Sequence, residues 1–276
     1  MKAGDIRVGI GGWNFEPWRE TFYPPGLPQA RELHYASRQV TAIEINSTYY
    51  GTQKPATFAK WRDETPDGFQ FSLKASRYAT QRRVLAEGAD SVHRFLHSGI
   101  AELGDKLGPI VWQLAPTHRF DASDLAAFLA LLPARLEGLP LRHVLDVRHD
   151  SFRCPEYLAL ARRFQVGTVL TASDDYPLIA EPTADLVYAR IMRTASEEPA
   201  GCRPEVFPAL AACARAWARG EAPSGLPLIE AATGAGPAPA PARDVFIFFI
   251  SGAKERAPAA AVALRQALAL DSPPER

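Results

Sequence analysis

The chain has 276 residues, 47% hydrophobic and 22% charged, an ordinary globular composition that allows one large domain or two small ones. Its 31 basic residues balance its 31 acidic residues, so no overall field attracts nucleic acid or an anionic membrane. We expect neither a signal peptide nor a membrane span, because no apolar run approaches the roughly 18 residues that a span needs.

The cysteines indicate the redox compartment. The chain has an odd number of cysteines, three, at separated positions and without a CxxC motif: Cys154, Cys202 and Cys213. This pattern argues against a disulfide framework or a zinc site and favours a reducing environment. We therefore expect a cytoplasmic protein.

Strand-like and helix-like patterns alternate along the whole chain. The predicted strands are Ile6–Trp13, Ala42–Tyr50, Phe69–Ser76, Pro109–Pro116, His143–His149, Val166–Asp174, Leu186–Arg193 and Asp244–Ser251. The predicted helices are Leu27–Gln39, Ala56–Glu64, Asp90–Leu103, Ser123–Glu137, Pro155–Gln165, Glu205–Arg219 and Ala259–Leu270, with Asp121 or Ser123 as the N-cap of the fourth. Such alternation is typical of parallel βαβ units.

Eight strands with about seven helices, in a chain near the barrel length of roughly 250 residues, predict an α/β fold: a single (β/α)8 TIM-barrel domain over residues 1–276. The helix after strand six is weak or missing, because residues 175–186 are few and interrupted by prolines. A doubly wound open sheet is the competing fold. However, Gly9–Trp13 lacks the third glycine of a dinucleotide-binding turn.

Residues 221–243 are rich in alanine, proline and glycine, which predicts a flexible low-complexity loop before strand eight. In a barrel, a loop that enters a strand lies at the N-terminal face, away from the usual active site. We assign it no catalytic role.

The stretch Ala42–Tyr50 carries the first candidate for chemistry. Strand side chains alternate between faces, so Ile43 and Ile45 share one face while Glu44 and Asn46 share the other. A buried ionised glutamate is unfavourable unless it is paired or reaches solvent. Glu44 is therefore a catalytic candidate, although a buried structural bridge to a cation would explain it equally well.

The interior faces of the other strands carry polar residues near their C-terminal ends, where barrel enzymes place their active sites. The catalytic candidates are Glu44, Lys74, Asp146 and Arg148, and the substrate-binding candidates are Trp13, Asn46, Tyr49, Gln113, His149 and Arg190. Simpler roles remain open for several of them. Lys74 could extend to solvent, Asp146 and Arg148 could serve each other, and His149 could only cap its strand.

Seven motifs occur in order along nearly the whole chain: GIGGWNFEPW (9–18), FYPPGLP (22–28), AIEINSTYY (42–50), KWRDETPDGFQFSLKAS (60–76), LGPIVWQLAP (107–116), DVRHDSF (146–152) and VYARIM (187–192). Together they resemble the YecE-like family, domain of unknown function 72. The resemblance implies a TIM barrel with kinship to sugar-isomerase-like barrels, and it names no reaction. The positions that match the family's pattern are Glu44, Asn46, Lys74, Gln113, Arg148, His149 and Arg190.

The sequence departs from that pattern at three places. Asp146 stands where the family often has glutamate, Met192-Arg193 replace a His-Gly pair, and Ile250 lies in a segment that is usually FNN-like. The changes at Met192 and Ile250 remove two polar positions. They indicate either a changed substrate or positions that are peripheral to the site.

The function that these residues favour is acid–base chemistry on a small polar or anionic molecule, such as a sugar or phosphate compound. Glu44 would be the acid or base, and Lys74, Arg148 and Arg190 would hold the anion. We predict no cofactor and no membrane partner.

Two other functions remain open. One is metal-assisted sugar isomerisation or hydrolysis with Glu44, Asp146 and His149 as ligands, but the nearby cations would repel a divalent metal, so a metal is not favoured. The other is a non-catalytic barrel that binds a metabolite or single-stranded nucleic acid through Trp13 and Tyr49. The zero net charge disfavours nucleic acid as a partner.

Overall fold

The computed structural model describes residues 2–19, 21–230 and 241–270, and in these residues eight parallel strands close into a barrel. The strands are β1 (Ile6–Gly11), β2 (Ala42–Ile45), β3 (Gln70–Lys74), β4 (Leu107–Gln113), β5 (His143–Asp146), β6 (Gly167–Ala172), β7 (Leu186–Ile191) and β8 (Asp244–Phe249). Each strand pairs with its neighbour in sequence, and β8 closes the ring against β1. The predicted TIM barrel is confirmed.

Helices pack against the outer face of the strands. They are α1 (Glu32–Gln39), α2 (Ser47–Tyr50), α3 (Pro55–Glu64), α4 (Arg77–Thr80), α5 (Ala89–Leu96), α6 (Ala122–Leu129), α7 (Pro155–Arg163), α8 (Val206–Ala218) and α9 (Ala257–Ala267). Short 3-10 segments lie at Glu16–Arg19, Gln29–Arg31, Leu85–Gly88, Ile100–Lys106, Asp150–Phe152 and Lys254–Arg256. Within the described ranges, no helix has the length and apolar character that crossing a membrane requires.

Two helices are shorter than their apolar periodicity predicts. The helix predicted over Asp90–Leu103 ends at Leu96, because Gly99 adopts a φ of 102° and turns the chain into a 3-10 segment. A positive φ of this kind is accessible to glycine and interrupts a helix. Periodicity alone does not register such a break.

The helix predicted over Ser123–Glu137 begins behind the Asp121 N-cap and ends at Leu129. A two-stranded hairpin, Arg135–Leu136 with Leu139–Pro140, takes the place of its last turns. Glu137 and Gly138 both have positive φ, which suits a tight hairpin turn and excludes a helix there.

The connection from β6 to β7, residues 173–185, contains no helix, as the prolines predict. The carboxylate of Glu181 in this connection accepts hydrogen bonds from the backbone N–H groups of Ile229 and Glu230. Arg162 in α7 pairs with Glu230 at 2.8 Å. The beginning of the predicted low-complexity loop 221–243 is therefore fixed to the barrel, while its residues 231–240 lie outside the described residues.

The barrel interior changes from apolar to polar along the strands. In five strands, a buried apolar or aromatic residue is followed two positions later by a buried polar one: Ala42–Glu44, Val111–Gln113, Val144–Asp146, Val169–Thr171 and Tyr188–Arg190. Residues two apart share a strand face, so both members of each pair point into the barrel. The strands are parallel, so the polar members collect at the C-terminal end.

We expect Lys106→Met to lower the free energy of unfolding by about 2 kcal/mol. The ammonium of Lys106 donates to the carbonyl oxygens of Arg62 at 2.7 Å and Thr65 at 2.6 Å, at the end of α3. Methionine keeps the aliphatic length but leaves these acceptors without a charged donor. Urea denaturation followed by circular dichroism measures the loss.

Lys60→Met is the matched control, because Lys60 is exposed on the same helix and has only a surface pair with Glu64 at 3.5 Å. We expect it to change the free energy of unfolding by less than about 0.5 kcal/mol. Equal losses in the two variants would contradict the capping role of Lys106.

Candidate active site

A buried ion-pair network forms the floor of the C-terminal end of the barrel. Glu44, Asp146 and Arg190 project from β2, β5 and β7, and none is more than 2% exposed. Arg190 donates from Nη1 to Asp146 Oδ2 at 2.7 Å and from Nη2 to Glu44 Oε1 at 3.1 Å. Burial lowers the pKa of Arg190, but the two carboxylate charges outweigh this effect and raise it. Arg190 therefore stays charged and connects three strands.

Tyr188 supports Glu44 from deeper in the barrel. Its hydroxyl donates to Glu44 Oε2 at 2.8 Å and lies 2.7 Å from Ser72 Oγ. Burial and the charge of Glu44 raise the pKa of Tyr188 well above its usual value, so the phenol remains a donor. Both Glu44 oxygens thus accept hydrogen bonds from the protein, an arrangement that fits the structural-bridge alternative.

Arg148 extends the network toward solvent. It donates from Nε and Nη2 to Asp146 Oδ2 at 3.2 and 2.9 Å, and from Nη2 to Gln113 Oε1 at 2.8 Å. Its guanidinium carbon also lies 4.3 Å from the centroid of the Tyr176 ring. Arg148 is therefore held by three side chains while part of its surface remains open.

Lys74 lies beside this network at the end of β3 and forms no ion pair within the described residues. The nearby carboxylates Glu44 and Asp146 pair with arginines instead. The Lys74 ammonium lies 4.1 Å from the centroid of the Tyr49 ring. Burial, and next the charge of Arg190, lower the pKa of Lys74 to about 8. At pH 7, about a tenth of these side chains therefore carry a free amine.

The network is electrically balanced without Lys74. Glu44 and Asp146 contribute two negative charges, and Arg190 and Arg148 contribute two positive charges at hydrogen-bond distance. Lys74 is thus an additional cation that neutralises no carboxylate. Burial of such a charge is unfavourable, and its presence indicates a role other than stability.

These side chains open into a cleft of about 750 Å³ at the C-terminal end of the barrel. Among the described residues, its lining contains four cationic side chains and no carboxylate; the cations are Lys74, Arg148, Arg190 and Lys254. Asn46, Gln53 and Gln113 add amide groups, and the aromatic lining residues are Trp13, Trp18, Tyr49, Tyr50, Trp61 and Phe249. The cleft is therefore suited to an anion with a small organic body.

The structure places most of the predicted site residues around this cleft, namely Trp13, Asn46, Tyr49, Lys74, Gln113, Arg148 and Arg190. Glu44 and Asp146 are fully buried below it and are not among the residues that line it. Their link to the cleft is indirect: they pair with Arg148 and Arg190, which line it.

His149 lies in a separate pocket on the other side of Arg148. Its Nδ1 accepts the backbone N–H of Ser151 at 3.1 Å and so caps the 3-10 segment Asp150–Phe152. This geometry fits the capping alternative, at a helical turn rather than at a strand.

All eight strands of the barrel end earlier than predicted, and in β2 and β5 this changes how the site is built. β2 stops at Ile45 instead of Tyr50, and the helical turn α2 follows, held by Thr48 Oγ1 on the Lys74 carbonyl at 2.7 Å. β5 stops at Asp146 instead of His149. Strand alternation therefore does not set the position of Tyr49; the turn brings its ring onto the Lys74 ammonium.

Lys254 is a cleft residue that strand alternation does not predict. It follows β8 in a 3-10 segment, and its ammonium lies 4.2 Å from the centroid of the Phe15 ring. Trp18 is fully buried and donates from Nε1 to the Lys254 carbonyl oxygen at 2.9 Å. The one signal in the sequence is the position of Lys254 shortly after a strand end.

The donor set does not fit a metal site. In the part of the chain that the structure describes, no three His, Cys, Asp or Glu side chains are grouped so that they could hold a metal ion. Glu44 and Asp146 hydrogen-bond to arginines, and His149 lies in the other pocket. We derive no step through a metal.

The chain is similar over its length to proteins of one family. The family described as "Protein of unknown function DUF72" matches residues 7–275. The UPF0759 protein YecE of Escherichia coli K12 is 30% identical over 150 residues, 53% of this chain and 50% of that protein. The UPF0759 protein YunF of Bacillus subtilis is 31% identical over 164 residues, 55% of this chain and 54% of that protein. The chain spans about half the length of these curated relatives.

A solved structure supports the fold. The crystal structure of a DUF72 family protein from Thermotoga maritima has a TM-score of 0.71 to this chain, at 18% identity, and covers 96% of this chain and 99% of that one. At this identity the likeness concerns the barrel alone.

Of the two lost polar positions, only one faces the cleft. Ile250 lines it and also belongs to the apolar cluster inside the barrel, whereas Met192 lies outside the lining. The departure at Ile250 therefore replaces a polar group with an apolar surface where a ligand would rest.

We expect Arg190→Met to lower the free energy of unfolding by about 3–5 kcal/mol, because it leaves two fully buried carboxylates without their shared partner. Arg193→Met is the control: Arg193 is exposed, pairs with exposed Asp174 and donates to the Ser173 carbonyl oxygen at 2.9 Å, so a loss under about 1 kcal/mol is expected. Urea denaturation at pH 7 compares them. A small loss for Arg190→Met would contradict the conclusion that Arg190 stabilises the fold by pairing with Glu44 and Asp146.

Lys74→Met should have the opposite effect and stabilise the fold at pH 7 by about 3–4 kcal/mol, since the pKa of Lys74 falls from 10.5 to about 8 and each pKa unit corresponds to about 1.4 kcal/mol. Below pH 8, Lys74 is charged in both states and its burial penalty is fully present. Between pH 8 and 10.5, the unfolded chain binds more protons than the folded one, so wild-type stability rises with pH.

The advantage of the Lys74→Met variant over wild type should therefore shrink as the pH rises through that window. Urea denaturation at pH 7 and pH 10 measures the difference in free energy of unfolding between the variant and the wild type at each pH. Lys60→Met, at an exposed position, should show no such change. A gap that stays constant with pH would mean that the Lys74 pKa is not lowered.

Proposed function

The chain belongs to the DUF72 family, and on that premise we propose that it is an enzyme that carries out acid–base chemistry on a small anionic molecule in the cleft at the C-terminal end of its barrel. The observation that carries the proposal is the cleft lining itself, which has four cationic side chains and no carboxylate among the described residues. A carboxylate or phosphate group would supply the charge that the protein does not.

Arg148 is the group that we assign to hold the anion. Its contacts with Asp146 and Gln113 fix the guanidinium plane, so little side-chain freedom is lost when a ligand binds. Asn46 and Gln113 line the same cleft and would add neutral hydrogen bonds to hydroxyl or carbonyl oxygens of the substrate. This division of roles suits a sugar acid, a sugar phosphate or a similar small molecule.

Lys74 is the group that we assign to proton transfer. A pKa of about 8 lets it accept or donate a proton near neutral pH, the range in which a general acid or base is most effective. Glu44 has both oxygens engaged and does not line the cleft, so it acts through Arg190 as a positioning residue. Asp146 has the same relation to Arg148 and Arg190.

A cytoplasmic location remains part of the proposal. It rests on the three scattered cysteines, Cys154, Cys202 and Cys213, all of which are free thiols.

We expect thermal-shift titration with inorganic phosphate, pyruvate and glycerol 3-phosphate to raise the melting temperature of the protein for at least one anion, with neutral glycerol as the reference. Arg148→Met should raise the dissociation constant of that anion by about tenfold or more, because a charge-assisted contact is lost. A stabilising anion is then followed by NMR for chemical change, which Lys74→Met should abolish.

The matched control is Arg153→Met, since Arg153 is a nearby cation that lines the His149 pocket instead of the cleft. It should bind the anion as wild type does. An equal loss in both arginine variants, or no shift with any anion, would contradict the proposed site. Binding that persists without turnover would favour the non-catalytic alternative.

A further inference from the structure

We propose that the Lys74 amine is a nucleophile that forms an imine with the carbonyl carbon of an aldehyde or ketone carrying a carboxylate or phosphate group. This inference rests on the proposed function, since it takes the same cleft to bind an anion, and it adds the reactive group of the substrate. It is carried by the position of Lys74 between the buried network and the cleft.

The surroundings of Lys74 leave its nitrogen available. Among the described residues, no side-chain or backbone oxygen accepts a hydrogen bond from its ammonium, which lies 4.1 Å from the centroid of the Tyr49 ring. The side chain is 6% exposed, yet it lines the cleft. A lysine that is desolvated and placed beside other cations, here Arg190 and Arg148, is an activated amine nucleophile.

The other buried lysine shows what a structural role looks like in the same fold. Lys106 is 7% exposed, almost as buried as Lys74, but its ammonium donates to three oxygens of Arg62 and Thr65. The N–H groups of the Lys106 ammonium are therefore engaged in structural hydrogen bonds. Lys74 has no such acceptors and no carboxylate to neutralise, so the structural explanation that serves Lys106 does not extend to it.

The step balances without an oxidant or reductant. The unprotonated amine attacks the carbonyl carbon, a C–N bond forms as the C=O π bond breaks, and one proton passes from the nitrogen to the oxygen to give a neutral carbinolamine. The C–O bond then breaks, the oxygen takes the second proton from the nitrogen and leaves as water, and the C=N bond of the imine is complete. Arg148 would hold the carboxylate or phosphate meanwhile, because its contacts with Gln113 and Asp146 fix its guanidinium.

Borohydride trapping tests the imine. The wild-type protein is incubated at pH 7 with pyruvate or with glycolaldehyde phosphate, reduced with sodium borohydride, digested with trypsin and analysed by mass spectrometry. Lactate replaces pyruvate as the control without a carbonyl. Reduction converts the imine to a stable secondary amine, which blocks cleavage after Lys74.

At pH 7, a lysine with a pKa of about 8 has about 300 times more free amine than one at the usual 10.5. We therefore expect the trapped fraction at Lys74 to exceed that at the exposed Lys54 and Lys60 by at least about tenfold, after allowing for its restricted access. The adduct identifies which anionic group the cleft prefers, according to whether the carboxylate or the phosphate compound is trapped.

Two variants complete the test. Lys74→Arg keeps the charge but has no nucleophilic amine, so it should lose trapping while the same anions still raise its melting temperature. Lys60→Met removes an exposed lysine of α3 that does not line the cleft, and it should leave trapping at Lys74 intact.

The outcomes separate this inference from the proposed function. If anions stabilise the wild type but no carbonyl compound is trapped at Lys74, the imine is overturned and the anion site stands. Trapping spread evenly over the lysines, or unchanged in Lys74→Arg, also overturns it. If neither stabilisation nor trapping occurs, both proposals fail.

Discussion

The contact on which this site depends is the double hydrogen bond of Arg190 to Glu44 and Asp146. Each of these groups alone would be strongly unfavourable at its depth in the barrel. Without Arg190, Glu44 would keep, among the described residues, only the Tyr188 hydroxyl and no cation, and Asp146 would keep only Arg148 as a cationic partner. Because the three side chains arise from β2, β5 and β7, the ion pairs also link parts of the ring that are not neighbours in the sheet. The barrel can therefore hold charge at its centre only in this combined form.

The same network determines which residues meet the cleft. Glu44 and Asp146 accept hydrogen bonds from Arg190, Arg148 and Tyr188 below the cleft. The side chains that the network exposes to the cleft are therefore the cationic arginines. Lys74 then experiences a positive surface without a counterion in contact, which together with burial accounts for its low pKa of about 8. In this protein, the two carboxylates hold the arginines in place, and the neighbouring amine of Lys74 is the group to which we assign proton transfer.

Strand alternation could predict the interior face of the site because it is a local property of the backbone. Glu44, Lys74, Asp146 and Arg190 all point inward at the C-terminal end, as their parity indicates. The pair Asp146–Arg148 could be proposed from the sequence because the two residues are two apart, whereas the sequence does not say which of several distant cations Glu44 contacts. The ends of the strands could not be predicted from alternation either. The AIEINSTYY stretch continues to alternate past Ile45, yet the backbone forms a helical turn there, and this turn places the Tyr49 ring next to the Lys74 ammonium.

The link between the β6–β7 connection and the chain near residue 230 has a consequence for how the barrel forms. A usual βα unit covers its own strand with the helix that follows directly, so each unit can fold soon after it is synthesised. Here Glu181 obtains its backbone donors from Ile229 and Glu230, almost 50 residues later in the chain. The wall beside β6 therefore remains open until α8 and the segment after it are in place. This part of the wall therefore closes later than a βα unit whose own helix follows its strand directly, because a longer stretch of chain must be in place first.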